Sequence, residues 1–135
     1  MTIAIVAALF NREVVDRMVE AALDRARERG VAVASVVRVP GTWEIAIAAQ
    51  RLLERADVDA VVALGAVIKG ETLHDEVIVH AAARALMELS LRSAKPVGLG
   101  ITGPGMTDAQ ANARVDRAAR AVDSVVATLE LLRGL

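Results

Sequence analysis

Two rhythms of apolar and polar positions follow one another four times along the chain. Residues 3–8 form a short, unbroken apolar run with Ile or Val at alternate positions, the pattern of a strand buried on both faces. Asn11 then stands where a helix N-cap belongs, and Val14, Val15, Met18, Val19, Ala22, Leu23 and Ala26 recur at helical spacing until Gly30. A second, Val-rich run covers 31–39 and stops at Pro40-Gly41. The spacing predicts a helix over 43–55 and a third strand over 58–64, closed by Gly65. Thr72-Leu73-His74-Asp75 has the Ser/Thr-x-x-acid form of a helix start. Behind it Val77, Ile78, Ala81, Ala82, Ala85, Leu86 and Leu89 are expected to keep to one face. The fourth strand is expected over 96–101. Thr107 and Gln110 form a capping-box signature that opens one last helix, with Val115, Ala119, Val122, Val126 and Leu129 on its inner face.

The order βαβαβαβα with near-continuous apolar strands implies an α/β fold: a four-stranded parallel sheet, covered on both faces, with right-handed crossovers. The natural solution is a three-layer α/β/α sandwich of flavodoxin-like type. At 135 residues the expectation is one domain spanning 1–135.

Composition sharpens this picture. Apolar residues make up 55% of the chain, largely through 27 Ala and 20 Val, against ~45–50% in ordinary domains even with Gly counted. So much apolar surface implies close helix packing or burial against other subunits. Sixteen basic against 17 acidic residues give a net charge of −1, no basic run stands out, and only two residues are aromatic. A nucleic-acid partner is therefore not expected. The start lacks a basic n-region, Cys is absent, and no run approaches ~18 apolar residues. The expectation is a cytoplasmic protein with no membrane partner.

In open α/β sheets ligands bind beyond the carboxyl ends of the strands. There the sequence places Phe10-Asn11, then Pro40-Gly41-Thr42-Trp43-Glu44, then the stretch 65–74, then 102–107. The only Phe, the only Trp, one of the two His and five of the nine Gly fall in these loops. Glycines belong in loops anyway, but that does not account for both aromatics and the His. Ala7-Ala8-Leu9-Phe10 cannot make a flavodoxin phosphate loop, no acids stand there for a phospho-receiver, and Gly-x-Gly-x-x-Gly is absent.

Phe10-Asn11, Pro40-Gly41-Thr42-Trp43-Glu44-Ile45, Gly65-Ala66-Val67-Ile68-Lys69-Gly70-Glu71-Thr72-Leu73-His74 and Arg114 resemble the lumazine synthase family in order and spacing. The stretch 95–107 is similar to its archaeal branch in particular, and the likeness covers essentially the whole chain. The resemblance implies a transferase of riboflavin biosynthesis. Such an enzyme condenses 5-amino-6-ribitylaminouracil with 3,4-dihydroxy-2-butanone 4-phosphate to 6,7-dimethyl-8-ribityllumazine, releasing inorganic phosphate and water, with no metal or organic cofactor.

It also implies roles. Phe10 would stack on the uracil beside Asn11. Thr42 and Trp43 would line the ribityl chain, and Glu44 would accept its hydroxyls. Val67 and Ile68 would read the uracil edge through their backbone. Gly70, Glu71 and Thr72 would bind phosphate at a helix N-terminus, Glu71 through its amide alone, with Arg114 as a bidentate cation. His74 would transfer protons. Leu99 and Arg114, the latter about two turns into the last helix, would reach the site of the adjacent subunit of a homo-oligomer. That assembly would be a pentamer or a set of pentamers, up to a sixty-subunit icosahedral shell.

For Phe10 and Trp43 the plain alternative is core packing, and for His74 a capping or surface role. His80 belongs with Glu76, Arg84, Glu88 and Arg92 to a polar stripe of period four. Six residues turn a helix by about 600°, which sets His74 and His80 on different faces. The chain departs from the commoner family pattern at three places. Asp75-Glu76 follow the His where an aromatic and Asp are common. Leu99 stands where Phe is frequent. Val115-Asp116-Arg117-Ala118 replace a Gly-Thr-Lys-rich stretch, leaving the second phosphate cation open. Two other readings share the fold: an archaeal-type riboflavin synthase, whose phosphate loop would be idle, and a non-catalytic flavin-binding or shell-forming relative, for which retention of His74 and Arg114 is unexpected.

Overall fold

A computed structural model describes residues 1–70 and 74–135. The first apolar run becomes β1 (Thr2–Ala8), every residue from Ile3 on being at most 1% exposed. It is followed by α1 (Arg12–Glu28), β2 (Ala32–Val39), a 3-10 turn (Thr42–Glu44), α2 (Ile45–Leu53) and β3 (Ala60–Ile68). Then come α3 (His74–Ser93), β4 (Val97–Met106), the short α4 (Asp108–Ala113) and α5 (Arg117–Arg133). All pairings are parallel, in the order β2-β1-β3-β4. That is the doubly wound arrangement with a switch point between β1 and β3. The two central strands are the two most continuous apolar runs because they alone are covered by helices on both faces and by strands on both edges.

The sheet separates two cores. On one face α1 and α5 pack on each other and on the sheet around Met18, Val15, Val122 and Leu64. On the other, α2 and α3 pack around Val6, Ile45, Val58 and Leu86. Fully burying a side chain of this size contributes roughly 1.5–3 kcal/mol.

Three boundaries differ from the sequence expectation by more than two residues. β3 does not end at Gly65: it runs to Ile68, because Ile68 pairs with Met106 and the Lys69 N–H donates to the Met106 carbonyl at 2.6 Å. For the same reason β4 runs through Gly103-Pro104-Gly105, with a register shift at Ala66/Ile68. The last helix is two helices. α4 opens on the expected box, Thr107 Oγ1 accepting from the Gln110 N–H and the Gln110 carboxamide accepting from the Thr107 N–H. It ends at Arg114, whose backbone leaves the helical region (φ −109°, ψ 22°). Arg114 is thus a junction residue and does not lie two turns into one helix.

Candidate active site

At the carboxyl edge of the sheet the loops enclose a cavity of about 450 Å³, within the usual range for small-molecule sites. Phe10, Asn11, Thr42, Trp43, Glu44, Val67, Ile68, Gly70 and His74 all line it. Phe10 is 72% and Trp43 62% exposed, so neither is a core side chain. Two rings left in water beside a cavity are what a flat ligand would cover.

Local folding explains these positions. Leu9 and Phe10 donate their N–H groups to the carbonyls of Val39 and Pro40, which ties the exit of β1 to the exit of β2 and sets Phe10 beside the Gly41–Glu44 turn. Asn11 adopts the left-handed conformation (φ 57°), which Asn tolerates because its short amide can bond locally. It is the N-cap by position, yet its side chain makes no cap bond. Instead Nδ2 donates to the Ala66 carbonyl at 2.6 Å and joins β1 to β3 under the cavity. Thr42 is buried beside Gly65, where a Cβ would come within 2.9 Å of Thr42 Oγ1. Gly65 therefore permits the turn to approach the strand rather than ending it.

Glu44 supplies the sharpest electrostatic feature. Its Oε2 is buried and has no hydrogen-bond partner among the described residues. Leaving a buried acceptor unmet costs ~1–3 kcal/mol, more for a charged one, and the Glu44 side chain also lines the cavity. His74 is exposed at the first position of α3. His80 is exposed elsewhere on that helix and does not line the cavity; in the polar stripe Arg84 and Glu88 pair at 3.3 Å.

Glu71 and Thr72 lie outside the described residues. Leu99, on the edge strand and 55% exposed, and Arg114, at the α4–α5 junction, do not line this chain's cavity. Gly41, Ala66, Asp75 and Ile78 also line it without having been singled out for the site. Ile78 could have been found by its i, i+4 relation to His74. Asp75 looked like a helix-start acid, and its other contact is thirty residues away in sequence.

A doubly wound sheet with a pocket at its strand ends, lined by two exposed aromatics and a glutamate, defines the class of α/β proteins whose small-molecule sites lie at the switch point of the sheet. The sequence profile of the 6,7-dimethyl-8-ribityllumazine synthases matches residues 1–133. The chain is 47% identical over 131 residues to the 6,7-dimethyl-8-ribityllumazine synthase of Archaeoglobus fulgidus, covering 97% of this chain and 92% of that one. It is 45% identical over 135 residues to that of Methanocaldococcus jannaschii (100% and 96% covered), and 48% identical over 134 residues to that of Staphylothermus marinus (98% and 89% covered). The chain belongs to the 6,7-dimethyl-8-ribityllumazine synthase family.

Proposed function

We propose that the chain, acting as one domain, carries out the reaction of its family. It condenses 5-amino-6-ribitylaminouracil with 3,4-dihydroxy-2-butanone 4-phosphate to 6,7-dimethyl-8-ribityllumazine, with loss of phosphate and water. The observation that carries this reading is the cavity at the strand ends walled by the exposed Phe10 and Trp43, with Glu44 and His74 in its lining. Phe10 stacks on the pyrimidine. Glu44 accepts the ribityl hydroxyls, with Thr42 and Trp43 along the chain. The backbone of Val67 and Ile68 pairs with the uracil edge, and Asn11 holds that strand end in place through Ala66. Gly70, Glu71 and Thr72, ahead of α3 in the sequence, bind the phosphate through backbone amides.

The chemistry moves protons at each stage. The primary amine of the pyrimidine forms an imine with the ketone, phosphate is eliminated, and the ribityl-bearing nitrogen closes the second ring. His74, at the cavity wall, takes and returns these protons. Positioning two polyhydroxylated molecules in one orientation supplies much of the remaining acceleration.

The working unit in this reading is a ring of at least five chains, with or without further assembly, in the cytoplasm. Leu99 and Arg114 complete the pocket of a neighbour, Arg114 holding the phosphate. The support is that neither is among the residues lining this chain's own cavity, together with the exposed Ile47, Val77, Met87 and Leu91 on α2 and α3. Heterologous contacts of this kind close into rings.

Purified protein mixed with the two substrates tests the reading. Fluorescent lumazine should form without added metal and equally in EDTA. No product under conditions where the fold survives would overturn it.

A further inference from the structure

Asp75 is buried, 8% exposed, although it is an acidic residue at a cavity wall. Its Oδ2 accepts the Gly105 N–H at 3.0 Å. Gly105 lies in the last turn-rich stretch of β4, and the next residue, Met106, pairs with Ile68 and accepts the Lys69 N–H. One carboxylate therefore joins three pieces that meet at the cavity: the first turn of α3, the end of β4 and, through β4, the end of β3. A carboxylate in the first turn is also favoured by the helix dipole, so the joint needs no cation.

We propose that Asp75 is a positioning residue for the lumazine-forming reaction: by clasping Gly105 it fixes the first turn of α3, and with it His74, relative to the Ile68–Gly70 wall. This rests on the proposed role of the cavity and of His74. The Oδ2 bond is to backbone alone, so the role proposed for Asp75 is to hold the cavity wall and not to react. The bond requires an acceptor oxygen at that point and not a charge. That sets Asp75 apart from a proton-transfer group, which would need to titrate.

Asp75→Ala and Asp75→Asn separate these roles. Loss of the clasp in Asp75→Ala should lower kcat by about ten- to a hundredfold, the scale of a misplaced reacting group. KM for the pyrimidine, held by Phe10 and Glu44, should stay within about twofold on that same ground. Asp75→Asn keeps an acceptor oxygen in place and should recover most of the turnover. Wild-type kcat in Asp75→Ala would overturn the proposal, as would Asp75→Asn being as slow as Asp75→Ala. The Gly105 amide supplies a readout that needs neither turnover nor a folded alanine variant. It should exchange slowly with deuterium in the wild-type protein, and exchange at the rate of an open loop would overturn the clasp. Absence of lumazine synthesis by the wild-type protein would instead remove the reading of the cavity and leave the amide measurement to decide the clasp.

Discussion

The two faces of the sheet are finished to different degrees. On the face covered by α1 and α5, α1 leaves no large apolar side chain exposed, β2 only Val36, at 37%, and α5 only Leu131 and Leu132 in its last turn. On the face covered by α2 and α3, Trp43, Ile47, Val77, Met87, Leu91 and Leu99 all stand in water. Both faces draw on the same Ala- and Val-rich vocabulary, so composition does not distinguish them. The closed face is a core that the chain completes for itself. The open face carries the cavity and ends in apolar surface that a single chain does not cover, the condition that usually marks an interface.

The strongest contrast comes from one substitution on each side. His74→Ala, at the cavity, should lower kcat by about 10²–10⁴ while leaving the melting temperature near that of the wild type. Met18→Ala, at 0% exposure on the closed face, should cost ~2–5 kcal/mol of stability and leave turnover per folded molecule unchanged. Steady-state kinetics and thermal melts on both variants check this. Full turnover in His74→Ala would remove it from the mechanism.

Arg114→Ala is next in size. A charge-assisted contact to phosphate lost across a subunit boundary should raise KM for the butanone phosphate about ten- to a hundredfold, corresponding to ~1.5–3 kcal/mol. KM for the pyrimidine should change little. An unchanged phosphate dependence would mean that Arg114 does not reach a neighbour's pocket.

The open face itself is tested by Ile47→Asp combined with Leu91→Asp. Both side chains are more than 60% exposed, so each change should alter the stability of the isolated chain by no more than ~0.5 kcal/mol. The assembled mass should nevertheless fall from about 71 kDa or a multiple of it, five chains of 14.2 kDa each, toward the single chain. Light scattering reads this directly. A wild-type protein active at 14.2 kDa would break the comparison, since the open face would then be ordinary surface.

The smallest effect lies on neither face. In the turn before β3, Arg55 Nε and Nη2 donate to the two Asp57 carboxylate oxygens at 2.9 and 2.7 Å. This hydrogen-bonded pair holds the Asp57 pKa below its ordinary value of 3.8. A depressed carboxylate contributes stability above its unfolded pKa and loses it as the pH falls through the folded one. Any contribution therefore vanishes only below about pH 3.8. The pair is solvent-screened, so Asp57→Asn should leave the melting temperature at pH 7 unchanged. A drop of several degrees would show the turn to be more tightly coupled to β3 than its exposure allows.

Much of this molecule could be read along the chain. Periodicities of 2 and 3.6 are local, so the order of strands and helices, the capping box at Thr107 and Gln110, and the loops that bring Phe10, Trp43 and His74 to one edge follow from neighbouring residues alone. Where a strand stops is not local. Gly65 reads as a terminator, yet β3 continues because Met106 offers its carbonyl to Lys69. Asn11 reads as a helix cap, yet its amide finds Ala66 on another strand. Arg114 reads as a helical residue, yet it lies at the joint where α4 ends. Asp75 reads as a helix-start acid and instead bonds to a residue thirty positions on. At Asn11, Asp75 and the Lys69 amide a polar group takes a partner brought up by folding instead of a nearby one, because an unmet hydrogen bond is costly away from water. Ala and Val in every segment made two apolar sheet faces inevitable, but only the placement of the helices determined which face the chain could close by itself.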